Sequence, residues 1–324
     1  ASQASGGEAA AVHITCAAEG CQQLGTKKCS RCGSEAYCSA DCQRKAWPSH
    51  KLVCQRANTA EGEIRELLRA GRLYSARLKL KGLPTPNRKL EAELEELISR
   101  GIDSEIIDGS IRLEQVGDMG RGYVAAKDLQ PGDPLLFDTA FLTAPTDGKE
   151  APHYTMLAKL QRRLSGGARR QSAKVDAQAD FFHDRVKALP LKGNMDRAWL
   201  EENSSLDADK REEMLVCSII EGCALYCTEE PGHMALYTAA SYFNHSCAPN
   251  AAIESSRPTV LVRATEAIPE GAEVFISYLP VQLLEEPGPK RRYRLDGGRG
   301  FACRCALCLA EAAAGPNEEA RATD

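Results

Sequence analysis

The feature that most constrains this 324-residue chain lies near its start. Cys16, Cys21, Cys29, Cys32, Cys38, Cys42, His50 and Cys54 follow one another with the spacing Cys-x4-Cys-x7-Cys-x2-Cys-x5-Cys-x3-Cys-x7-His-x3-Cys. Eight such ligands fill two tetrahedral zinc sites and leave no open position, which is the pattern of structural rather than catalytic metal. The segment is about forty residues long with few large apolar side chains, so metal has to replace a hydrophobic core. Two pairings satisfy the spacing. Neighbouring pairs can share a site in sequence, or a cross-brace can join Cys16, Cys21, Cys38 and Cys42 at one zinc and Cys29, Cys32, His50 and Cys54 at the other.

The chain has 14 cysteines in all. Disulfide frameworks belong mainly to short secreted chains. Residues 1–11 show no basic region leading into an apolar run, so no secretory signal is expected and the thiols read as zinc ligands in a reducing compartment, nucleus and/or cytoplasm. No apolar stretch approaches the ~18 residues that would span a membrane. A net charge of -4 argues against a polyanion-binding surface over the whole chain. Within residues 16–56, Lys27, Lys28, Arg31, Arg44, Lys45, Lys51 and Arg56 outnumber Glu19, Glu35 and Asp41. Seven thiolates and two Zn²⁺ reduce that excess to about +1, too weak a field to predict direct DNA binding.

Residues 57–101 read as a helical linker. Ile64, Leu67 and Leu68, then Leu90, Leu94, Leu97 and Ile98, recur at helical spacing. Residues 82–86 break the two runs, and Gly101 is placed as a helix stop. From Ile111 the texture changes to short strands, with alternation over residues 111–116, a Gly120-Arg121-Gly122 turn, a second turn at 130–134 and an apolar strand at Leu135-Leu136-Phe137. Residues 145–175 are polar, with Gly166-Gly167 and clustered arginines, and read as a mobile insert. Helices are expected around 176–189 and 208–227. Cys217, Cys223 and Cys227 fall there and read as small buried apolar groups.

Three late motifs carry the chemistry. They are Asn244-His245-Ser246-Cys247-Ala248-Pro249-Asn250, the segment EGAEVFISY at 270–278 ending in Tyr278, and Cys303-Arg304-Cys305-Ala306-Leu307-Cys308. With Gly120-Arg121-Gly122, they resemble a SET domain followed by a cysteine-rich post-SET segment. The N-terminal run, with Tyr37 before Cys38 and Trp47 before His50, resembles a MYND zinc finger, a family that uses the cross-brace. The whole is similar to the SET- and MYND-domain protein lysine methyltransferases over about residues 16–309.

The resemblance implies an α+β fold, a SET-domain β-clip of small curved sheets with a helical insert, preceded by a small zinc-stapled finger and a helical linker. The implied organisation is a flexible tail at 1–12, the finger at 13–56, the linker at 57–105 and the SET domain at 106–282 with its insert at about 150–235. A post-SET zinc segment at 283–309 and a second flexible tail at 310–324 complete it. The Asn244–Asn250 motif should thread beside the Tyr278 strand in a knot-like crossing, against the usual rule for chain connections.

The implied reaction is transfer of a methyl group from S-adenosylmethionine to a lysine of a histone or another protein, which would place the chain in chromatin biology among other settings. A free lysine titrates near about 10.4, so a narrow apolar channel must favour its neutral form, and alignment of the reacting atoms supplies most of the rate. By resemblance, Tyr278 is the catalytic tyrosine. Gly120, Arg121, Gly122, Ser241, Phe243, Asn244, His245, Tyr278 and Phe301 contact the cofactor, and Phe301 covers its adenine. Cys247, Cys303, Cys305 and Cys308 form a third zinc site that clamps the tail over the channel. The finger implies a protein partner, such as a proline-rich peptide.

Three departures from the family pattern stand out. Arg299 occupies a place where many members carry an aromatic residue. Glu221 stands where an asparagine is often found. The finger also precedes the SET strands rather than interrupting them. An alternative reading follows from the first two: a non-catalytic interaction protein that uses the finger as an adaptor on a SET-like scaffold. The basic run Lys290-Arg291-Arg292-Tyr293-Arg294 reads as a solvated face.

Overall fold

The computed structural model describes residues 15–32, 35–147, 150–164, 180–191, 207–226, 232–256 and 258–314. The chain divides into two compact units, one of residues 1–70 and 75–94 and one of residues 71–74 and 95–324.

The first unit begins with a two-stranded antiparallel ribbon, β1 (Lys27–Lys28) and β2 (Ala36–Tyr37). A long helix follows, α1 (Ala40–Arg69). It starts inside the cysteine segment, at Ala40 rather than at the linker boundary of residue 57 expected from sequence. Ser39 supplies the reason, since its hydroxyl accepts from the Cys42 N–H at 3.2 Å and caps the first turn. The helix carries three predicted metal ligands, with His50 and Cys54 one turn apart. Tyr37, Cys29, Cys32 and Cys54 are buried together with little aliphatic material around them, so the cluster lacks an ordinary core. Along the rest of the unit, Ile64, Leu68, Ala76, Leu80, Leu90 and Leu94 are buried at the helical spacing that the sequence shows. Two further helices, α2 (Leu73–Lys81) and α3 (Arg88–Arg100), complete the helical segment.

The second unit is built on β6 (Pro134–Pro145), a strand three or four times longer than the apolar triplet predicted for it. It is buried almost throughout, because both of its faces are covered. The main sheet runs β10 (Ala251–Ser256), β11 (Thr259–Ala264), β6, β8 (His233–Tyr237), β7 (Leu225–Tyr226), and β3 (Ser104–Ile106) also pairs with β6. All these pairings are antiparallel. A separate hairpin joins β4 (Ile111–Gln115) to β5 (Arg121–Ala125). A short parallel pair joins β9 (Asn244–His245) to β12 (Phe275–Ile276). The fold is therefore the α+β arrangement of small sheets that the sequence motifs imply. Gly101 does end α3, with φ +67°, and a Cβ there would collide with the Ala140 carbonyl of β6, so only glycine fits.

Among the described residues, a small apolar cluster gathers around Cys247, Leu295, Cys303 and Cys308, and two large ones fill this unit. One lies among the small sheets and includes Tyr123, Leu136, Val262, Phe243, Val274 and Ile276. The other sits where α4 (Pro152–Leu164), a π-helical turn at Phe182–Val186 and α5 (Ala208–Cys223) cover the far end of β6. The predicted insert is thus helical over 152–164, and residues 165–179 lie outside those described. The helix expected around 176–189 is the shorter π-turn within residues 180–191. The helix expected to reach residue 227 stops at Cys223, where the chain enters β7, and Cys227 lies outside the described residues.

A buried carboxylate fixes the approach to the Asn244–Asn250 motif. Asp138 on β6 accepts N–H bonds from Ala239 and Ala240 at 2.8 and 2.9 Å, and from Thr139 at 2.8 Å. It thereby pins the turn that leads into Asn244.

Candidate active site and zinc clusters

Three groups of side chains converge as metal sites. Cys16, Cys21, Cys38 and Cys42 form one, Cys29, Cys32, His50 and Cys54 another, and Cys247, Cys303, Cys305 and Cys308 the third, each with all ligand atoms within 4.8 Å of one another. The finger therefore uses the cross-brace and not sequential pairing. The distances fit zinc. Sulfur pairs stand at 3.7 Å (Cys21–Cys38), 3.4 Å (Cys38–Cys42), 3.9 Å (Cys29–Cys54) and 3.6 Å (Cys247–Cys308). A tetrahedron with Zn–S of about 2.3 Å has edges of about 3.8 Å. His50 turns Nε2 to within 3.4 Å of Cys32 Sγ, which makes Nε2 the ligand nitrogen. Its Nδ1 lies 3.2 Å from the Glu35 carboxylate, and the Tyr37 hydroxyl donates to the same oxygen at 2.8 Å. A carboxylate behind a ligating histidine orients the ring and raises its basicity.

The third cluster adjoins the parallel pair. Register places Phe275 opposite Asn244 and Ile276 opposite His245, and Ser246 N–H continues the ladder to the Ile276 carbonyl at 3.0 Å. The Asn244–Asn250 motif and the Tyr278 strand are thus zipped side by side. His245 spans the junction. Its Nδ1 accepts from the Tyr278 N–H at 3.0 Å, so the proton resides on Nε2, which stands 3.3 Å from Cys247 Sγ. Burial, and then the charges of Arg299 and Arg291, hold His245 down to about 4, so the ring is neutral.

Around this junction lies a cavity of about 1040 Å³. Of the predicted residues, Gly120, Arg121, Ser241, Asn244, His245, Tyr278 and Phe301 line it. Two do not. Phe243 is fully buried beneath Tyr123, with ring centroids 4.5 Å apart, and what it offers is its carbonyl, which accepts from the Tyr278 hydroxyl at 2.6 Å. Gly122 lies behind the wall. A Cβ there would stand 2.5 Å from Asn244 Nδ2 and 2.8 Å from Glu273 Oε1, the two atoms of a 2.7 Å hydrogen bond. Its lack of a side chain lets that pair close. Asn250 completes the brace, donating to the Glu273 carbonyl at 2.9 Å and accepting from Phe275 N–H at 2.7 Å.

Tyr278 is half-buried by its surface yet deep in the protein, and burial pushes its hydroxyl above the usual tyrosine range, so it stays protonated. Its ring is edge-on to Phe301 and packs beside His245. Arg299 lies over the ring, Cζ to centroid 5.1 Å. Sequence reasoning missed several lining residues, including Met119, Pro190, Leu191, Gly222 and Cys223. Cys223, read from sequence as a buried apolar group, is buried but also reaches the cavity wall, and its thiol donates to the Pro190 carbonyl at 3.2 Å. Glu221 is not at the wall. Its side chain is 3.7 Å from His153 Nε2.

The basic run at 290–294 is not a solvated face throughout. Arg291 is 2% exposed. Its Nη2 donates to both carboxylate oxygens of Glu311, each at 2.9 Å, and lies 3.9 Å from Cys308 Sγ. A cation is drawn under the surface here because four thiolates and one Zn²⁺ leave two negative charges to balance.

Comparison with known proteins agrees with this geometry. Residues 120–279 match the SET domain model and residues 16–54 the MYND finger model, which together cover more than half of the chain. The chain belongs to the family of proteins that combine a SET domain with a MYND finger. It is similar to mouse "Histone-lysine N-methyltransferase SMYD3", 24% identical over 284 residues, which is 87% of this chain and 48% of that protein. It is also similar to rat "N-lysine methyltransferase SMYD2", 25% identical over 289 residues, 88% of this chain and 48% of that protein. The finger alone is more alike: the fly "Zinc finger MYND domain-containing protein 10 homolog" is 58% identical over 40 residues, 12% of this chain and 8% of that protein. The chain thus spans about half the length of the methyltransferases it matches. Among the described residues, no helix is long and apolar enough to cross a membrane.

Proposed function

We propose that this chain is a protein-lysine N-methyltransferase that uses S-adenosylmethionine and acts on lysines of histone or other proteins. The observation that carries the reading is the convergence of Asn244, His245 and Tyr278 on one cavity beside the third metal cluster. The donor set suits the cofactor: an asparagine amide braced by Glu273, backbone along residues 244–248, the Gly120-Arg121 turn and the Phe301 ring. When bound, S-adenosylmethionine supplies an electrophilic methyl on a sulfonium sulfur. The chain's own residues do the rest. Asn244, Arg121, Gly120 and Ser241 hold and orient it, and Phe301 covers its base. Tyr278, fixed by its bond to the Phe243 carbonyl, is the wall against which the acceptor nitrogen is aligned. Residues 303–306 line the cavity, and with zinc held by Cys247, Cys303, Cys305 and Cys308 this tail would be fixed there and help exclude water, which favours a neutral amine. The lysine methyltransferase activity of the similar mouse and rat proteins supports the same reading.

The finger is proposed as a docking module for a protein partner, such as a proline-rich peptide, in the nucleus or cytoplasm, with two closed zinc sites as its staples. The test of the enzyme reading is transfer of labelled methyl from S-adenosylmethionine to histones and to whole-cell extract. Binding of the cofactor by calorimetry is the companion measurement. Zinc-replete protein that binds no cofactor would leave the adaptor reading in its place.

A further inference from the structure

We propose that Arg299 sets the charge state of the acceptor: it admits the substrate lysine as the neutral amine and disfavours one that enters as an ammonium. The inference rests on the methyl-transfer reading above and assigns its specificity to a residue that reading does not need.

Arg299 ends the helix Gly288–Arg299 and is buried. Its Nη1 donates to the carbonyls of Glu221 at 3.2 Å and Gly222 at 2.8 Å, and its Nη2 to Ala224 at 2.7 Å. These are end-of-helix carbonyls of α5, which no N–H of the helix can reach. The guanidinium is therefore held in a fixed orientation by three acceptors and by the negative end of a helix dipole. Burial draws its pKa below the ordinary arginine value, but arginine starts so high that the group stays charged at neutral pH. All its acceptors are neutral carbonyls, and among the described residues no carboxylate lies within ion-pair distance of it. A full positive charge thus stands at the cavity wall against the Tyr278 ring.

The other groups around this point do not cancel it. Tyr278 is protonated, and His245 offers it a bare ring nitrogen, its Nδ1 accepting from the Tyr278 N–H. Cys223 and Tyr226 are near enough to interact with the guanidinium. Arg121 and Arg304 line the cavity and add positive charge. Among the described residues, the Glu273 carboxylate also acts on Tyr278, and Asn244 engages its oxygen. A like charge lowers the pKa of an amine, and a unit charge within about 10 Å in a partly buried site does so by roughly one pH unit or more. An aromatic ring in the same place would act with the opposite sign, since its face attracts cations. The arginine also disfavours the charged methylammonium product, which promotes its departure.

The test uses the full, zinc-replete chain with S-adenosylmethionine and a degenerate lysine-centred peptide library. The readout is the pH profile of kcat at saturating peptide and cofactor, which reports the amine as bound, across the range in which lysine amines titrate, about pH 7 to 11. Arg299→Gln should move the acid limb to higher pH by about one unit, while Arg299→Lys, which keeps the charge, should leave the limb in place whatever its effect on rate. Tyr226→Glu adds a carboxylate beside the guanidinium from an exposed strand without touching its carbonyl partners, and should move the limb the same way by a smaller amount. An unmoved limb in Arg299→Gln overturns the proposal, as does an equal movement in Arg299→Lys. If Arg299→Gln loses its zinc, Tyr226→Glu decides, and its unmoved limb overturns the proposal. Failure of the unaltered protein to methylate the library or the extract removes the methyl-transfer reading itself, an outcome seen before any variant is compared.

Discussion

His245 Nε2 stands 3.3 Å from Cys247 Sγ, while the opposite ring nitrogen accepts the backbone N–H of Tyr278. One neutral imidazole therefore connects a predicted zinc thiolate to the backbone of the proposed catalytic tyrosine. Metal at the third site and the position of Tyr278 are coupled through a single side chain.

His245→Ala should break that connection. The expected outcome is faster loss of one zinc of three to a chelator, by about tenfold, with the two finger zincs retained, since outer partners of ligands typically contribute 10–100-fold. Metal analysis during chelator challenge checks this. Loss of all three zincs together would contradict the coupling.

Arg291→Met should act on the same zinc by a different route. It removes the buried cation beside Cys308 and leaves Glu311 without its partner. Breaking a fully buried charge pair from one side costs about 3–5 kcal/mol, and because the Glu311 side chain is 35% exposed the loss here is smaller. A clear fall in Tm and zinc loss from the third site alone are expected, by differential scanning calorimetry and metal analysis.

Tyr278→Phe keeps the ring and removes the hydroxyl that donates to Phe243 O. Stability should fall by only about 1 kcal/mol, the usual net contribution of one hydrogen bond. Methyl transfer should fall by on the order of tenfold to a hundredfold, or change in the number of methyls added, through loss of alignment. Steady-state kinetics with mass analysis of the product gives both numbers, and unchanged kinetics would take Tyr278 out of the active site.

Gly122→Ala is a small change in a place with no room. The new methyl would displace Asn244 or Glu273, whose 2.7 Å bond braces the cavity wall. Cofactor affinity by calorimetry should weaken by about tenfold, equivalent to about 1.4 kcal/mol, with all zincs retained.

Asp138→Ala leaves the N–H groups of Ala239 and Ala240 without their acceptor, while the Thr139 N–H keeps the Asp103 carbonyl at 3.1 Å. At about 1–3 kcal/mol for an unsatisfied buried group, a loss of several kcal/mol is expected from denaturant unfolding. Asp138→Asn should recover only part of it, because one amide oxygen replaces two carboxylate oxygens.

Much of this was legible in the linear chain because its chemistry is local. Cys29 and Cys32, or His50 and Cys54, lie within a turn of each other, and zinc accepts few other arrangements. The Gly101 stop and the apolar faces with Leu90 and Leu94 were readable for the same reason. The length of β6 was not, because a strand buried on both faces by distant elements carries no alternation. The end of α5 at Cys223 was hidden too, since the helical pattern runs on past it. Arg291 was misread as solvated because its reason for burial is a thiolate cluster whose members lie 44 residues before it and 12 to 17 residues after it.

By itself, the sequence determined the ligand set, the presence of two zinc-stapled segments and the family of the fold, all properties of residue type and spacing. Tertiary structure alone decided the cross-brace, the braced pair of Asn244 and Glu273, the exclusion of Phe243 from the cavity and the fate of Arg299. The last is the clearest case. A single arginine in a glycine-rich run carries no sign of what it faces. Only when the end of α5, 75 residues or more away, presents its unpaired carbonyls does the guanidinium have a reason to be buried beside Tyr278.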